Sequence, residues 1–144
     1  MRLSAKAQYA CVAMVELAAS HGNPQPVHLK AIADKHGISQ RFLVQILLQL
    51  KGAGLVDSTR GATGGYLLGR SPDRITLAEI VHAIDQPPPP APSALSGLFG
   101  TAVVQVVSAA LQQAQDREQA LLAESTLAHL VIQAQQRTAI AYEI

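Results

Sequence analysis

Apolar residues recur every three or four positions in three segments of the first half of the chain, which predicts three amphipathic helices. The first covers residues 4–20, the second begins near Leu29 and ends at Gly37, and the third follows Ser39, a favourable N-cap residue. The apolar stripe of the third helix consists of Leu43, Ile46, Leu47 and Leu50. These helices are close enough in sequence to pack around one core.

A β-hairpin and a fourth helix are predicted next. Strands over residues 55–59 and 66–70 flank residues 60–65, where three glycines predict a tight tip with positive φ or a close backbone approach. Leu77, Ile80, Val81 and Ile84 share one face of a helix over residues 76–84. The order of helix, short helix, turn, helix and hairpin is typical of a winged helix-turn-helix. The expected fold class is mainly α with a small β-hairpin wing.

A proline-rich segment separates this domain from the rest of the chain. Residues 87–90 are four consecutive prolines, which favour an extended and stiff connector. Beyond them, apolar residues recur near every 3.5 positions, the spacing of a helix that packs on a partner, at Val103, Val107, Ala110 and Ala114. A last helix is predicted over residues 126–136. We therefore expect a winged domain at 1–85, a connector at 86–100 and a helical dimerisation region at 101–144.

Composition and charge narrow the class of partner. Hydrophobic residues make up 49% of the chain and aromatic residues 3%, so Leu, Ile, Val and Ala must fill the core. Residues 1–85 contain nine Lys or Arg against six Asp or Glu, whereas residues 86–144 contain two against four. The first half is therefore where a polyanion would bind, although the excess is modest. The uncharged stretch from residue 86 to 115 is too rich in Pro, Ala, Ser and Gln to favour a membrane span over a buried interface helix.

The outward face of the third helix carries side chains suited to the major groove of DNA. At 100° per residue, Arg41, Gln45 and Leu48 point away from the apolar stripe. Arginine pairs with guanine and glutamine with adenine, but both are also common on an ordinary solvated face. Arg60 at the glycine-rich tip could enter a narrow minor groove, or it could simply be solvated. A nucleotide-phosphate loop is disfavoured because no helix or Lys-Ser/Thr ending follows the glycines.

The chain resembles the Rrf-two family of bacterial regulators, which includes an iron–sulfur cluster regulator and a nitric-oxide-sensing repressor. The resemblance is carried by residues 1–4, 9–10, 32–33, 38–50, 54–68 and 75–84, and weakly by residues 125–130. It implies a cytoplasmic homodimer that binds a near-palindromic operator in double-stranded DNA, expected to act as a repressor. The DNA-binding residues are then expected to be Ser39, Gln40, Arg41 and Gln45 in the major groove, Arg60, Gly64 and Gly65 at the wing, and Arg2, Ser4 and Tyr9 near phosphates. Val44 departs from the Glu that members often carry there, so the base preference is expected to differ.

The chain also departs from the family in its chemistry. Cluster-binding members place three cysteines between about residues 90 and 106, where this chain has none, so we expect no cofactor and no metal. The resemblance then implies the cluster-free branch, which responds through a thiol, a partner protein or another signal. Cys11, the single cysteine, is either a small packing residue in the first helix or a redox sensor that reacts with a small thiol.

Two function classes compete with the DNA-binding regulator. One is a protein–protein adaptor that keeps the winged fold without binding DNA, which the cationic face formed by Arg41, Gln45 and Arg60 argues against. The other is a thiol-dependent redox enzyme, which is disfavoured because no histidine partners the lone cysteine. Since no catalytic constellation with a nucleophile is visible, we expect no enzyme.

Overall fold

The computed structural model describes residues 2–87, 89 and 91–143. Met1, Pro88 and Pro90, which belong to the resemblance and to the connector, lie outside the described residues. The mainly helical fold with a two-stranded antiparallel wing is confirmed. Its elements in chain order are α1 (Ala5–Ala19), α2 (Leu29–His36), α3 (Gln40–Gly52), β1 (Val56–Thr59), β2 (Gly65–Leu68), α4 (Leu77–Asp85), α5 (Ala102–Glu124) and α6 (Leu127–Glu143).

Two expectations about the tail need correction. The last helix continues past residue 136 to Glu143, because no glycine or proline follows residue 136 to end it. The connector is not extended throughout: residues Ala94–Gly97 form a 3-10 turn whose first free amide, on Leu95, donates to Ser93 Oγ at 3.2 Å. This turn forms where the prolines have ended.

One expectation about the wing also needs correction, because strand β2 ends at Leu68 rather than at residue 70.

The core is built on a narrow, alanine-rich face of α1. Ala7, Ala10 and Ala13 are fully buried, and their small side chains let neighbouring helices approach closely. The α3 stripe predicted from the sequence is fully buried against them, each Leu or Ile contributing about 1.5–3 kcal/mol of hydrophobic stabilisation. Local signals set the helix ends. Ser4 accepts from the amide of Ala7 at 3.0 Å, and Gly37 ends α2 with φ +70°.

The C-terminal helix returns to this core. The amide of Leu127 donates to the carbonyl of Ile75 at 3.0 Å, and the amide of Leu77 donates to the carbonyl of Ser125 at 2.9 Å. The Leu127 side chain is fully buried together with the residues of α1, α3 and α4. The division into residues 1–85, 86–100 and 101–144 stays a prediction, but α6 adds a core residue to the body formed by the first part.

Candidate nucleic-acid interface

Helix α3 presents the face that the sequence predicts. Arg41 and Gln45 are exposed, and Leu48 is 60% exposed, on the side opposite the buried stripe. Val44 lies beside them and is also exposed. The face therefore combines one cation, one amide and two aliphatic side chains, the kinds of group that read base edges and the thymine methyl.

The N-terminal end of α3 adds an electrostatic attraction for phosphate. Ser39 caps the helix, its Oγ accepting from the amide of Phe42 at 3.4 Å, and Ser39, Gln40 and Arg41 are all exposed there. The free amides and the positive end of the helix dipole at this position favour an anion. The predicted major-groove residues are thus brought together on one end and one face of a single helix.

Two contacts that the sequence did not indicate hold α3 in place. Tyr9 of α1 packs edge-on against Phe42, with ring centroids 5.7 Å apart and an interplanar angle of 83°. The side-chain amide of Gln49 donates to the carbonyls of Ala83 and Ile84, at 3.3 and 3.2 Å, and so satisfies the end of α4. Tyr9 stays a predicted phosphate contact, since its side chain is still partly exposed.

The wing is a short hairpin with one flanking strand residue. Val27 and Tyr66 exchange two backbone hydrogen bonds of 2.9 and 2.8 Å, which add Val27 to the open edge of β2. At the tip, Gly61 has a φ of +100°, and the amide of Gly64 donates to the carbonyl of Gly61 at 2.9 Å. Arg60 is exposed between β1 and this turn, and its contact with a groove stays a prediction.

Gly64 and Gly65 have a structural reason to be glycine. A Cβ on Gly64 would lie 2.4 Å from the carbonyl oxygen of Thr59, and one on Gly65 would lie 2.5 Å from that of Val27. Gly64 is also buried. Both residues therefore shape the wing itself, and their predicted contact with DNA stays a prediction.

Charge pairing leaves the candidate interface cationic. Lys35 and His36 both contact Glu16, at 2.7 and 2.8 Å, and Arg70 contacts Glu79 at 3.1 Å. Burial would raise the pKa of the Glu16 carboxyl, but the hydrogen bonds from Lys35 and His36 outweigh it and lower that pKa. By contrast, neither Arg41 nor Arg60 forms an ion pair with another described residue. Glu16 and Glu79 are thus paired with other cations and not with Arg41 or Arg60.

Residues 2–4, the N-terminal arm, are hydrogen-bonded to the end of α4. The amide of Ser4 donates to Asp85 Oδ2 at 3.1 Å, and the hydroxyl of Ser4 donates to Asp85 Oδ1. Because the same hydroxyl oxygen also caps α1, the predicted phosphate contact of Ser4 would require it to share these bonds. Arg2 is exposed beside it, at the start of the described chain.

Cys11 lies on α1 and is half-buried. Burial raises the pKa of its thiol to about 11, and the carboxylate of Asp85 adds to the shift. A neutral thiol is a poor nucleophile, so the environment favours packing over rapid oxidation.

The first half of α5 exposes apolar side chains along one side. Val103, Val107 and Leu111 are exposed by 73%, 42% and 57%, and the predicted seam residues Ala110 and Ala114 are exposed beside them. No helix among the described residues is both long enough and apolar enough to cross a membrane. An exposed apolar stripe of this kind is typical of an interaction surface, and the dimer seam stays a prediction.

Comparison with known proteins identifies relatives for nearly the whole chain. A model of the Rrf2 family, described as an iron-dependent transcriptional regulator, matches residues 3–133. The transcriptional regulator CymR of Bacillus subtilis is 44% identical over 87 residues, which are 60% of this chain and 62% of that protein. The regulator IscR of Xenorhabdus nematophila is 45% identical over 86 residues, covering 60% of this chain and 52% of its own length.

A solved structure has the same fold. The structure of CymR, the global cysteine regulator of B. subtilis, superposes with a TM-score of 0.79 at 34% identity, covering 91% of this chain and 96% of that one. The sequence matches therefore span only about half to two thirds of the length of these curated relatives, whereas the structural match includes the helical tail.

Proposed function

Because the chain belongs to the Rrf2 family of transcriptional regulators, we propose that it binds specific DNA sequences as a homodimer and represses transcription. The observation that carries the proposal is the joint exposure of Arg41 and Gln45 on α3 and of Arg60 at the wing tip. Neither arginine forms an ion pair with another residue in the part of the chain that the structure describes. A protein–protein adaptor would have no need of this arrangement.

Each element has a distinct part in recognition. The N-terminal half of α3 enters the major groove, where Arg41 pairs with guanine O6 and N7 and Gln45 pairs with adenine N6 and N7. Arg60 enters the neighbouring minor groove, where a narrow width concentrates negative potential. The amides and the dipole at the start of α3 hold a phosphate and set the register.

Dimerisation through the tail brings two DNA-binding domains together. Pairing of two α5 helices along Val103, Val107, Ala110 and Ala114 buries the exposed apolar stripe and fixes the spacing of two α3 helices. Two-fold symmetry of the protein then requires a near-palindromic operator.

The family is described as iron-dependent, but an iron–sulfur cluster does not fit this chain. The sequence has one cysteine, and its thiol is half-buried on α1 with a raised pKa rather than in the connector. The described connector residues offer Pro, Ala, Ser, Gln, Leu, Gly and Phe, and none of these supplies a thiolate or an imidazole. We therefore propose that DNA binding is independent of iron, so protein purified without oxygen should be colourless and fully active in binding.

The proposal is tested by selecting bound fragments from genomic DNA and then measuring affinity by fluorescence anisotropy. Wild-type protein should lose affinity steeply with salt, the log–log slope growing by about 0.9 for each phosphate neutralised. Arg41→Ala should weaken binding to the selected site by about 1–3 kcal/mol and relax the preference at one base pair in each half-site. The matched control is Arg137→Ala, an exposed arginine on α6, which should bind like the wild type.

Three other results would contradict parts of this scheme. If Arg41→Ala weakens all sequences equally, then Arg41 contacts phosphate and the base assignment is wrong. If no fragment is enriched above non-specific binding, the adaptor hypothesis replaces the regulator. A visible absorbance band with stoichiometric iron would refute the cluster-free assignment.

A further inference from the structure

Two aliphatic side chains interrupt the polar surface of α3 on its outward side. Leu48 is 60% exposed and Val44 is 38% exposed. Leu48 is the most exposed large apolar side chain in the part of residues 2–87 that the structure describes. The remaining exposed side chains of the helix are polar and belong to Gln40, Arg41, Gln45 and Lys51. A small apolar patch thus lies within a surface that is otherwise suited to hydrogen bonding.

Helix geometry places Leu48 near the middle of the outward side. At 100° per residue it lies about 30° from the direction opposite the centre of the buried stripe, as Gln45 does on the other flank. Val44 lies about 70° from that direction. Residues four apart are neighbours on a helix, and helical side chains lean toward the N-terminus. Leu48 therefore lies over the turn that carries Val44 and Gln45, directly among the predicted base-contacting groups.

The approach to Leu48 from the C-terminal end of α3 is open. The next residue on the same side, one turn further on, is the exposed Gly52. A Cβ built at Gly52 would have no atom within 4 Å. Neither a side chain at this position nor a neighbouring element therefore stands between Leu48 and a surface that meets the outward side of the helix.

The chemistry of the major groove identifies the group that suits an exposed leucine. Most base-edge groups in the groove are hydrogen-bond donors or acceptors, which lose their bonds to water when a leucine covers them. The 5-methyl group of thymine is the apolar exception, and its burial is favourable. Leu48 follows Arg41 by seven residues, or about 10.5 Å along the helix axis, which corresponds to about two to three base pairs at 3.4 Å each.

We propose that Leu48, flanked by Val44, contacts the 5-methyl group of a thymine in each half-site of the operator. The thymine lies about two to three base pairs from the base that pairs with Arg41. This inference rests on the DNA binding of the proposed function and adds the identity of one further base pair in each half-site. Leu48 is then a specificity-determining residue that discriminates by methyl contact rather than by a hydrogen bond.

Substitution of uracil for thymine tests the contact on the DNA side. Uracil lacks only the 5-methyl group, so each thymine of the selected operator is replaced in turn and Kd is measured by fluorescence anisotropy with the full-length protein. At one thymine in each half-site, Kd should rise about fourfold, the effect of removing one buried methyl group. Replacement in both half-sites should raise Kd about 15-fold, because a dimer makes the contact twice.

Leu48→Ala tests the contact on the protein side. The shorter side chain should reduce the difference between thymine and uracil at the sensitive position to less than about twofold. The wild type should also bind 5-methylcytosine there more tightly than cytosine, and Leu48→Ala should not distinguish the two. The matched control is Ile132→Ala, which removes a side chain that is 51% exposed on α6 and should keep the fourfold difference. Thermal unfolding confirms that both variants are folded.

The outcomes separate this inference from the proposed function. Specific binding in which no thymine is sensitive to uracil would overturn the methyl contact and leave the DNA-binding regulator intact. A sensitive thymine whose uracil effect persists in Leu48→Ala would assign the methyl group to another residue and also overturn it. Weaker dimerisation of Leu48→Ala in sedimentation equilibrium would place Leu48 against protein instead of DNA. If genomic selection enriches no fragment, the proposed function is refuted and the methyl contact with it.

Discussion

Replacing Gly64 with alanine tests whether the wing tip acts by positioning Arg60. The new Cβ would lie 2.4 Å from the carbonyl oxygen of Thr59, 2.8 Å from the carbonyl carbon of Arg60 and 2.9 Å from the carbonyl oxygen of Gly61. Contacts shorter than 3.0 Å are essentially never seen for a real Cβ, and all three neighbours are backbone atoms. The tip must therefore open by at least about half an ångström, and the backbone of Arg60 must move with it.

The expected cost in stability is that of an overpacked site, about 1–3 kcal/mol in the free energy of unfolding. That corresponds to a fall in Tm of about 2–4 °C for each kcal/mol in a chain of this size. The effect on DNA binding should match that of Arg60→Ala, about 1–3 kcal/mol or about 5- to 150-fold in Kd. Gly100→Ala is the matched control, because a Cβ at Gly100 has no atom within 4 Å and its φ is not positive.

A double-mutant cycle provides the decisive measurement. If Gly64 acts through Arg60, the Gly64→Ala/Arg60→Ala variant should bind DNA no more weakly than Arg60→Ala alone. Affinity is measured by anisotropy on the selected site and stability by thermal unfolding. Additive losses, or wild-type affinity of Gly64→Ala, would show that the shape of the tip does not position Arg60.

Three further changes test the dimer seam, the thiol and the support of α3. Val107→Glu should give monomers or aggregates in sedimentation and abolish operator binding, because it places a charge in the predicted dimer seam. Ala109→Glu, on the opposite side of α5, should stay dimeric. A dimeric Val107→Glu variant would contradict the predicted seam. Burial raises the pKa of the Cys11 thiol to about 11 from an ordinary value of 9.0. Below pH 9 this lowers the fraction of thiolate about 100-fold. A thiolate of higher pKa is a better nucleophile, but this offsets only part of the loss in reaction rate. Iodoacetamide at pH 8 should therefore label the native chain at least about tenfold more slowly than the unfolded chain, with the rate rising tenfold per pH unit; equal rates would mean that the thiol is exposed and reactive. Gln49→Leu should cost about 1–3 kcal/mol in chemical denaturation, because two hydrogen bonds to the end of α4 are lost, and an unchanged midpoint would show that those carbonyls find other donors.

The recognition face could be predicted from the sequence because, in a helix, the spacing of residues along the chain fixes the directions in which their side chains point. The four apolar residues of the α3 stripe fix which side is buried, so the outward positions of Arg41 and Gln45 follow at 100° per residue. The turn glycines were likewise visible, and Gly61 does adopt a positive φ. Local patterns of this kind involve residues only a few positions apart.

The contacts that set the face in space could not be predicted in the same way. Ser4 and Asp85 are 81 positions apart, and Gln49 bonds to backbone carbonyls 34 and 35 positions away. Every residue has a backbone carbonyl, so the sequence does not indicate which carbonyl accepts a hydrogen bond from Gln49. The length of α6 was underestimated for a different reason, because its exposed second half lacks the apolar repeat that defines a buried face.

The return of α6 to the body has a consequence for how the chain folds. Leu127 completes a core that otherwise consists of residues from Ala7 to Ile84, and its amide bonds to Ile75 across a long loop in sequence. A nascent chain that has reached only residue 100 therefore has all of its predicted DNA-binding groups but lacks the side chain that completes the core beside α1. A contact between such distant residues forms late and at a high entropic cost. The DNA-binding domain should therefore become rigid only after the tail has been synthesised. An isolated fragment of residues 1–85 should accordingly be less stable than the same residues in the full chain.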